Sequence, residues 1–222
     1  EILLRIQEPC GRILAPAQFI AAAERFKLMP EIDKEVIRKA FLWLSLNSQL
    51  WPDHCISINL SGNSLGAEGM VEYIAKQQQI FDIPSQCVCF EITETTAIQN
   101  RHRGMEMLRQ LRKLGFSFAL DDFGSGFADL SWLDFLRPQV LKLDMALIRN
   151  IHLDKQKQFV IDEVLGICRT LNTQVLAEGV ESKAELDYLV GRGINYFQGY
   201  YFAKPQLEYL TTFDALDCYA AL

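Results

Sequence analysis

Two neighbouring carboxylates, Asp121 and Asp122, follow the apolar run Phe116-Ser-Phe-Ala-Leu120 and precede Phe123 and a Gly124-Ser-Gly126 turn. Like charges side by side at a strand end repel, and a packed domain keeps them there when something cationic lies between them. A divalent metal suits that place, because hard cations prefer carboxylate oxygens. The glycines allow a sharp turn and a close approach of backbone to ligand. Further polar residues recur at corresponding places. Asn59 ends Cys55-Ile-Ser-Ile-Asn59, Glu91 ends Cys87-Val-Cys-Phe-Glu91, Glu178 ends Gln174-Val-Leu-Ala-Glu178, and Gln198 ends Asn195-Tyr-Phe-Gln198. Lys142 lies inside Val140-Leu-Lys-Leu-Asp144.

A solitary terminal carboxylate is commonly a helix cap or a solvated loop residue. The recurrence is what speaks for a shared site. The donors Glu1, Asn59, Glu91, Asp121 and Asp122 all offer oxygen, which suits Mg²⁺ or Mn²⁺ and argues against zinc. His54, His102 and His152 fall away from the strand ends and read as surface residues. Adjacent aspartates suit two metals with one carboxylate bridging, and paired metals clamp the attacking and leaving oxygens of an in-line phosphoryl displacement. Lys142 could instead form a Schiff base, but neighbouring carboxylates favour its charged form and oppose that use.

The elements that must position these groups alternate. Apolar strand-like runs end at Asn59, Glu91, Asp121, Glu178 and Gln198, and helical stretches separate them. Helices are expected from Pro16 to Leu28, Glu31 to Ser48 and Leu65 to Ile80, with Gly115 and Gly191 as stops and Ser182-x-x-Glu185 as a capping box. Strands alternating with helices mean a parallel sheet. Seven or eight such units predict an α/β fold, a TIM-like (β/α) barrel. A doubly wound sheet would carry a Gly-rich loop after its first strand, and none is present. Period-2 alternation sends the terminal groups to the C-terminal rim on the side of their inward apolar neighbours. Glu1 begins its strand, so the first strand is expected to run antiparallel to the rest. Arg5 shares its parity but lies about 13 Å further along.

The chain has 222 residues, which suits a single domain spanning 1–222, and half of it is apolar. A net charge of −6 argues against a general polyanion-binding surface, so neither DNA nor RNA is an expected partner. The six cysteines form no C-x-x-C pair and no zinc spacing. They indicate a reduced, cytoplasmic domain. No apolar run reaches membrane-spanning length and no signal peptide is visible. The chain begins with Glu1 rather than Met and reads as a piece of a longer protein, whose upstream domains could anchor it to a membrane.

These residues together resemble the EAL-domain family, phosphodiesterases of bacterial cyclic di-GMP. The resemblance covers essentially the whole chain. It rests on Glu1-Ile-Leu-Leu-Arg5, Asn59-Leu-Ser61, Glu91-Ile-Thr-Glu94, Asp121-Asp-Phe-Gly-Ser-Gly126, Lys142-Leu-Asp144, Ala177-Glu-Gly-Val-Glu181 and Gln198-Gly-Tyr200. It implies a barrel with one antiparallel strand. Glu1, Asn59, Glu91 and Asp121 would hold one metal, and Asp121 and Asp122 would serve the second. Lys142 and Glu178 would position and deprotonate the attacking water, Gln198 would contact the water network, and Arg5 would meet a substrate phosphate. Glu94 would brace the loop after Asp122 and couple it to a homodimer. The implied reaction opens cyclic di-GMP to linear pGpG with two Mg²⁺ or Mn²⁺ ions, with Ca²⁺ inhibitory; upstream sensor or GGDEF domains are implied partners. The alternative is a silent receptor that binds cyclic di-GMP without cutting it. The chain departs from the family pattern at Ile2, Ile6, Ser125 and Phe127.

Overall fold

The computed structural model describes residues 1–52, 54–99, 101–125, 133 and 136–206, with backbone only at 97–99 and 101–102. An antiparallel hairpin, β1 (Ile6–Gln7) and β2 (Ile13–Leu14), comes first. Six parallel strands follow in one sheet: β3 (Ile56–Asn59), β4 (Val88–Thr93), β5 (Ser117–Phe123), β6 (Val140–Leu143), β7 (Gln174–Ala177) and β8 (Tyr196–Phe197). Their spatial order is their sequence order. The order never reverses, so the sheet has no switch point of the doubly wound kind. It is the arc of a TIM-like barrel.

Large apolar side chains lie on one face of the arc. Ile56, Ile58, Val88, Phe90, Phe118, Leu141 and Leu143 share one continuous core with the helices outside. After the short helix α1 (Ile20–Arg25), helix α2 (Met29–Leu46) contributes Ile37, Phe41 and Leu44 to it, at the spacing of one helical face. The rings of Phe90 and Phe116 meet edge to face at 5.3 Å within it. The other face carries Ser57, Cys89, Ser117 and Ala119 alongside the polar terminal residues. Asn59, Glu91 and Asp121 therefore share a side with small residues, which leave room for long side chains, whereas Lys142 and Glu178 share theirs with Val140 and Leu176, as the alternation predicts.

The segment that starts at Glu1 is expected to run antiparallel to the other strands and instead runs parallel to them. Ile2 bridges Ile58 of β3 in parallel, and its N–H donates to Ser57 at 2.9 Å. The chain then runs on past the rim into the β1–β2 hairpin. Glu1 needs no reversed strand, because its side chain extends to groups at the rim. It accepts from Asn59 next to one sheet edge and from Gln198 just after the other, each at 2.9 Å. The arc therefore curves until both edges reach one residue.

Helix α3 (Met70–Phe81) starts later than the expected Leu65. Gly66 and Gly69 have φ of +83° and +75°, a left-handed backbone that delays the helix. No helix among the described residues is long and apolar enough to cross a membrane. The five described cysteines are all free thiols. Burial pushes Cys168 up to about 11, so this thiol stays protonated at neutral pH.

One buried carboxylate was not singled out by the sequence. Asp33 lies on the apolar stripe of α2, one turn before Ile37, and accepts from the Ser61 N–H at 2.9 Å. The signal for it was a lone acid on an otherwise apolar helix face. Burial raises its carboxyl above the usual range, against the opposing bonds from Ser61 and Ser64. An acid raised in this way stabilises the fold when protonated, and that contribution is lost as pH rises through the raised value. Thermal melts of Asp33→Asn should therefore improve relative to wild type as pH rises from about 4 to about 8. A constant gap across that range would refute the assignment.

Candidate metal centre

Strand register sets the heights of the polar groups. Asn59 is paired with Glu91, and Ala177 with Phe197, which places Glu178 level with Gln198. Glu91 is opposite Ala119, so Asp121 stands two residues further along the neighbouring strand. Lys142 is opposite Leu176, two residues before Glu178. It thus starts lower, and its aliphatic stem carries the ammonium up among the acids.

The ammonium of Lys142 is the centre of the cluster. Its Nζ lies 2.8 Å from Glu91 Oε2, 2.8 Å from Glu178 Oε1, 3.2 Å from Asp121 Oδ1 and 3.5 Å from Glu1 Oε2. The side chain of Lys142 is 2% exposed, and those of its acidic partners range from 2% for Glu91 to 16% for Glu178. Burial opposes the charge on Lys142, but Glu91, Asp121, Glu1 and Glu178 outweigh it and hold the group above its ordinary value. A lysine kept so firmly protonated is no Schiff-base nucleophile, which removes that reading.

The acids divide. Burial favours the neutral form of Glu1, yet Lys142, Gln198 and Asn59 prevail and hold it below the usual range. Burial raises Glu91 despite Lys142. Burial also pushes Glu178 up to about 7, with Lys142 pulling the other way and Asp121 adding to the rise. Asp122 is raised by burial and by Asp121 beside it. One ammonium cannot balance these five carboxylates.

Asp121 and Asp122 reach the same side through a break in the strand. Successive residues of a regular strand face opposite ways. Here the β5–β6 register shifts between Leu120 and Phe123, and Asp122 has φ of +57°. The Asp122 N–H donates to Asp121 Oδ1 at 2.9 Å. This bulge turns Asp122 towards Glu178. Among the described residues, two acidic groups have oxygens lying within 4.8 Å of one another: Glu1, Glu91 and Asp121, and Asp121, Asp122 and Glu178. Asp121 belongs to both. An all-oxygen set with a shared carboxylate fits a pair of hard dications.

Not every expected residue joins this set. Arg5 is exposed, and its Nη1 donates to the Leu4 carbonyl at 2.8 Å. Glu94 is buried at the start of the helix Glu94–Gln99. The loop it is expected to brace continues beyond Ser125 outside the described residues, as do Gly126 and Phe127. His54 is exposed, as expected.

A model of the EAL domain matches residues 1–205. The chain belongs to the EAL-domain family. This EAL domain is 72% identical over 206 residues to the cyclic di-GMP phosphodiesterase PdeB of Shewanella oneidensis, covering 93% of the chain and 24% of PdeB. It thus spans about a quarter of that relative's length. Among solved structures, the domain is similar to the PaMucR phosphodiesterase in its c-di-GMP complex, with 29% identity and a TM-score of 0.83, covering 91% of this chain and 83% of that one. It is also similar to Klebsiella pneumoniae BlrP1 in a manganese/cyclic di-GMP complex, with 29% identity and a TM-score of 0.79, covering 93% of this chain and 55% of that one.

Proposed function

We propose that this EAL domain hydrolyses cyclic di-GMP to linear pGpG with the help of two divalent cations. The observation that carries the reading is Asp121, shared by two acidic groups beside the Lys142–Glu178 pair. The name of PdeB and the ligands of PaMucR and BlrP1 support the substrate.

Glu1, Asn59, Glu91 and Asp121 would hold one cation, and Asp121 and Asp122 the other. Mg²⁺ or Mn²⁺, when bound, would supply Lewis acidity to the phosphodiester and offset the charge that builds there. Glu178 Oε1 takes the proton of the attacking water, at a group whose affinity for protons burial has already raised. The new O–P bond forms as the P–O3′ bond breaks, and the leaving oxygen is protonated from solvent. Lys142 Nζ holds Glu178 in place at 2.8 Å and keeps its own proton throughout. Gln198 Nε2 fixes Glu1 and borders the water network. Arg5, exposed and free of the acidic set, would swing to a substrate phosphate. Glu94 would brace the loop after Asp122 and couple it to a homodimer, and sensor or GGDEF domains would regulate the site in the longer protein.

Incubation of the domain with cyclic di-GMP and Mn²⁺, followed by chromatography for pGpG, tests the reading. Product should form and should vanish with chelator. Binding without product would make the domain a receptor instead. Ca²⁺ prefers bonds of about 2.3–2.6 Å against about 2.0–2.1 Å for Mg²⁺, so it should bind yet support little turnover. Full activity in Ca²⁺ alone would contradict the proposed geometry.

A further inference from the structure

Glu185 lies outside the acidic cluster, on the helix Lys183–Val190. It is 2% exposed, and its two oxygens do different things. Oε2 accepts from the N–H groups of Ser182 and Glu181, at 3.0 and 3.1 Å. With Ser182 Oγ accepting from the Glu185 N–H at 3.3 Å, this is the capping box that starts the helix. Oε1 faces another segment. It accepts at 2.9 Å from the N–H of Asn150, whose φ is +57°.

The two segments joined here are those that leave the rim directly after Lys142 and Glu178. One runs from Asp144 through the short helix Met145–Ile148 to Asn150. The other runs from Gly179 to Ser182. They touch at their bases as well: a Cβ on Gly179 would lie 2.4 Å from Met145 Cβ. Arg149 and Glu181 pair across them at 2.5 Å on the solvent side. We propose that Glu185 is a positioning residue for the reaction proposed above: its second oxygen clasps the Lys142 loop to the Glu178 loop and fixes the angle at which Glu178 meets Lys142. The inference rests on that reading of Glu178 as the base.

The clasp explains why a carboxylate stands here. A glutamine is equally competent at this place in a capping box. It has one acceptor oxygen, however, and two donor hydrogens on its nitrogen. If the oxygen completes the cap, the NH₂ faces the Asn150 N–H and the cross-link is replaced by two opposed donors. Glu185→Gln therefore keeps the cap and breaks the clasp. Ser182→Ala does the reverse, because it removes Ser182 Oγ and leaves both carboxylate oxygens of Glu185.

The test compares these two variants as Mn²⁺-loaded protein. Glu185→Gln should lower kcat roughly ten- to a hundredfold while KM for cyclic di-GMP and Mn²⁺ affinity by calorimetry stay within about twofold. Ser182→Ala should lower the melting temperature and leave kcat within about twofold. Unchanged kcat in Glu185→Gln would overturn the proposal. So would an equal kcat loss in Ser182→Ala, because loss of the cap would then explain both. Amide hydrogen exchange gives a readout that needs no variant and no turnover. The Asn150 N–H of the wild-type protein should be protected like the core of a helix, and exchange as fast as an exposed loop would exclude the clasp. If wild type fails to cleave cyclic di-GMP, the catalytic reading falls, whereas exchange at Asn150 and Glu181 in Glu185→Gln still decides whether the loops are joined.

Discussion

Glu178→Gln should abolish turnover of cyclic di-GMP and spare its binding. The substitution keeps the size of the side chain and removes the only function assigned to it, acceptance of a proton. Loss of a positioned general base costs about 10²–10⁴ in rate, and the upper end is expected, because the one other raised carboxylate equally close to Lys142 among the described residues, Glu91, is assigned to a cation. Glu91 is also raised, but it sits two residues below the level of Asp121 and is tied to Lys142 at 2.8 Å. Single-turnover hydrolysis and equilibrium binding of the nucleotide, measured on the same preparation, separate the two effects. Turnover within tenfold of wild type would remove Glu178 from the chemistry. Loss of binding in step with turnover would make it a substrate ligand.

Lys142→Met should damage the metal-free protein far more than the metal-loaded one. The side chain is buried, and among the described residues it is the one side-chain cation paired with Glu1, Glu91, Asp121 and Glu178. Breaking a buried pair by removing one partner costs about 3–5 kcal/mol, because the opposite charge is left uncompensated. Here several acids lose one shared partner. Protonation of Glu178 and Glu91, both already raised by burial, relieves part of that cost. Divalent cations bound as proposed would add stability to the native state by mass action, about 2.7 kcal/mol at a hundredfold excess over Kd. Acids freed of Lys142 are better ligands, so the rise in melting temperature on adding Mn²⁺ should be larger in the variant. Calorimetric melts with Mn²⁺ and with chelator measure it. An equal rise in both proteins would mean that Lys142 and the cations do not compete for the same oxygens.

Much of this site could be read along the chain. The alternation of apolar runs and helices dictates a parallel sheet with sequential order, because each strand must return over a helix before the next begins. Residues at the ends of such strands share a rim wherever the fold puts it. Asn59, Glu91, Asp121, Glu178 and Gln198 were therefore recoverable from position alone, and the oxygen-rich donor set with them. Side-chain identity is local information, and strand ends are local events.

What the chain could not announce depends on partners far away in sequence. The direction of the Glu1 segment follows from its pairing with Ile58, which no property of residues 1–6 specifies. The bulge at Asp122 follows from how β5 meets β6, and it alone brings two adjacent carboxylates to one side. The two roles of Glu185 show the same division. Its capping box was visible as Ser182-x-x-Glu185, whereas the bond to Asn150, 35 residues earlier, exists because two rim loops lie side by side. Lys142 shows it most plainly: the sequence puts a charge inside an apolar strand, and tertiary packing alone supplies the acids that make its burial tolerable.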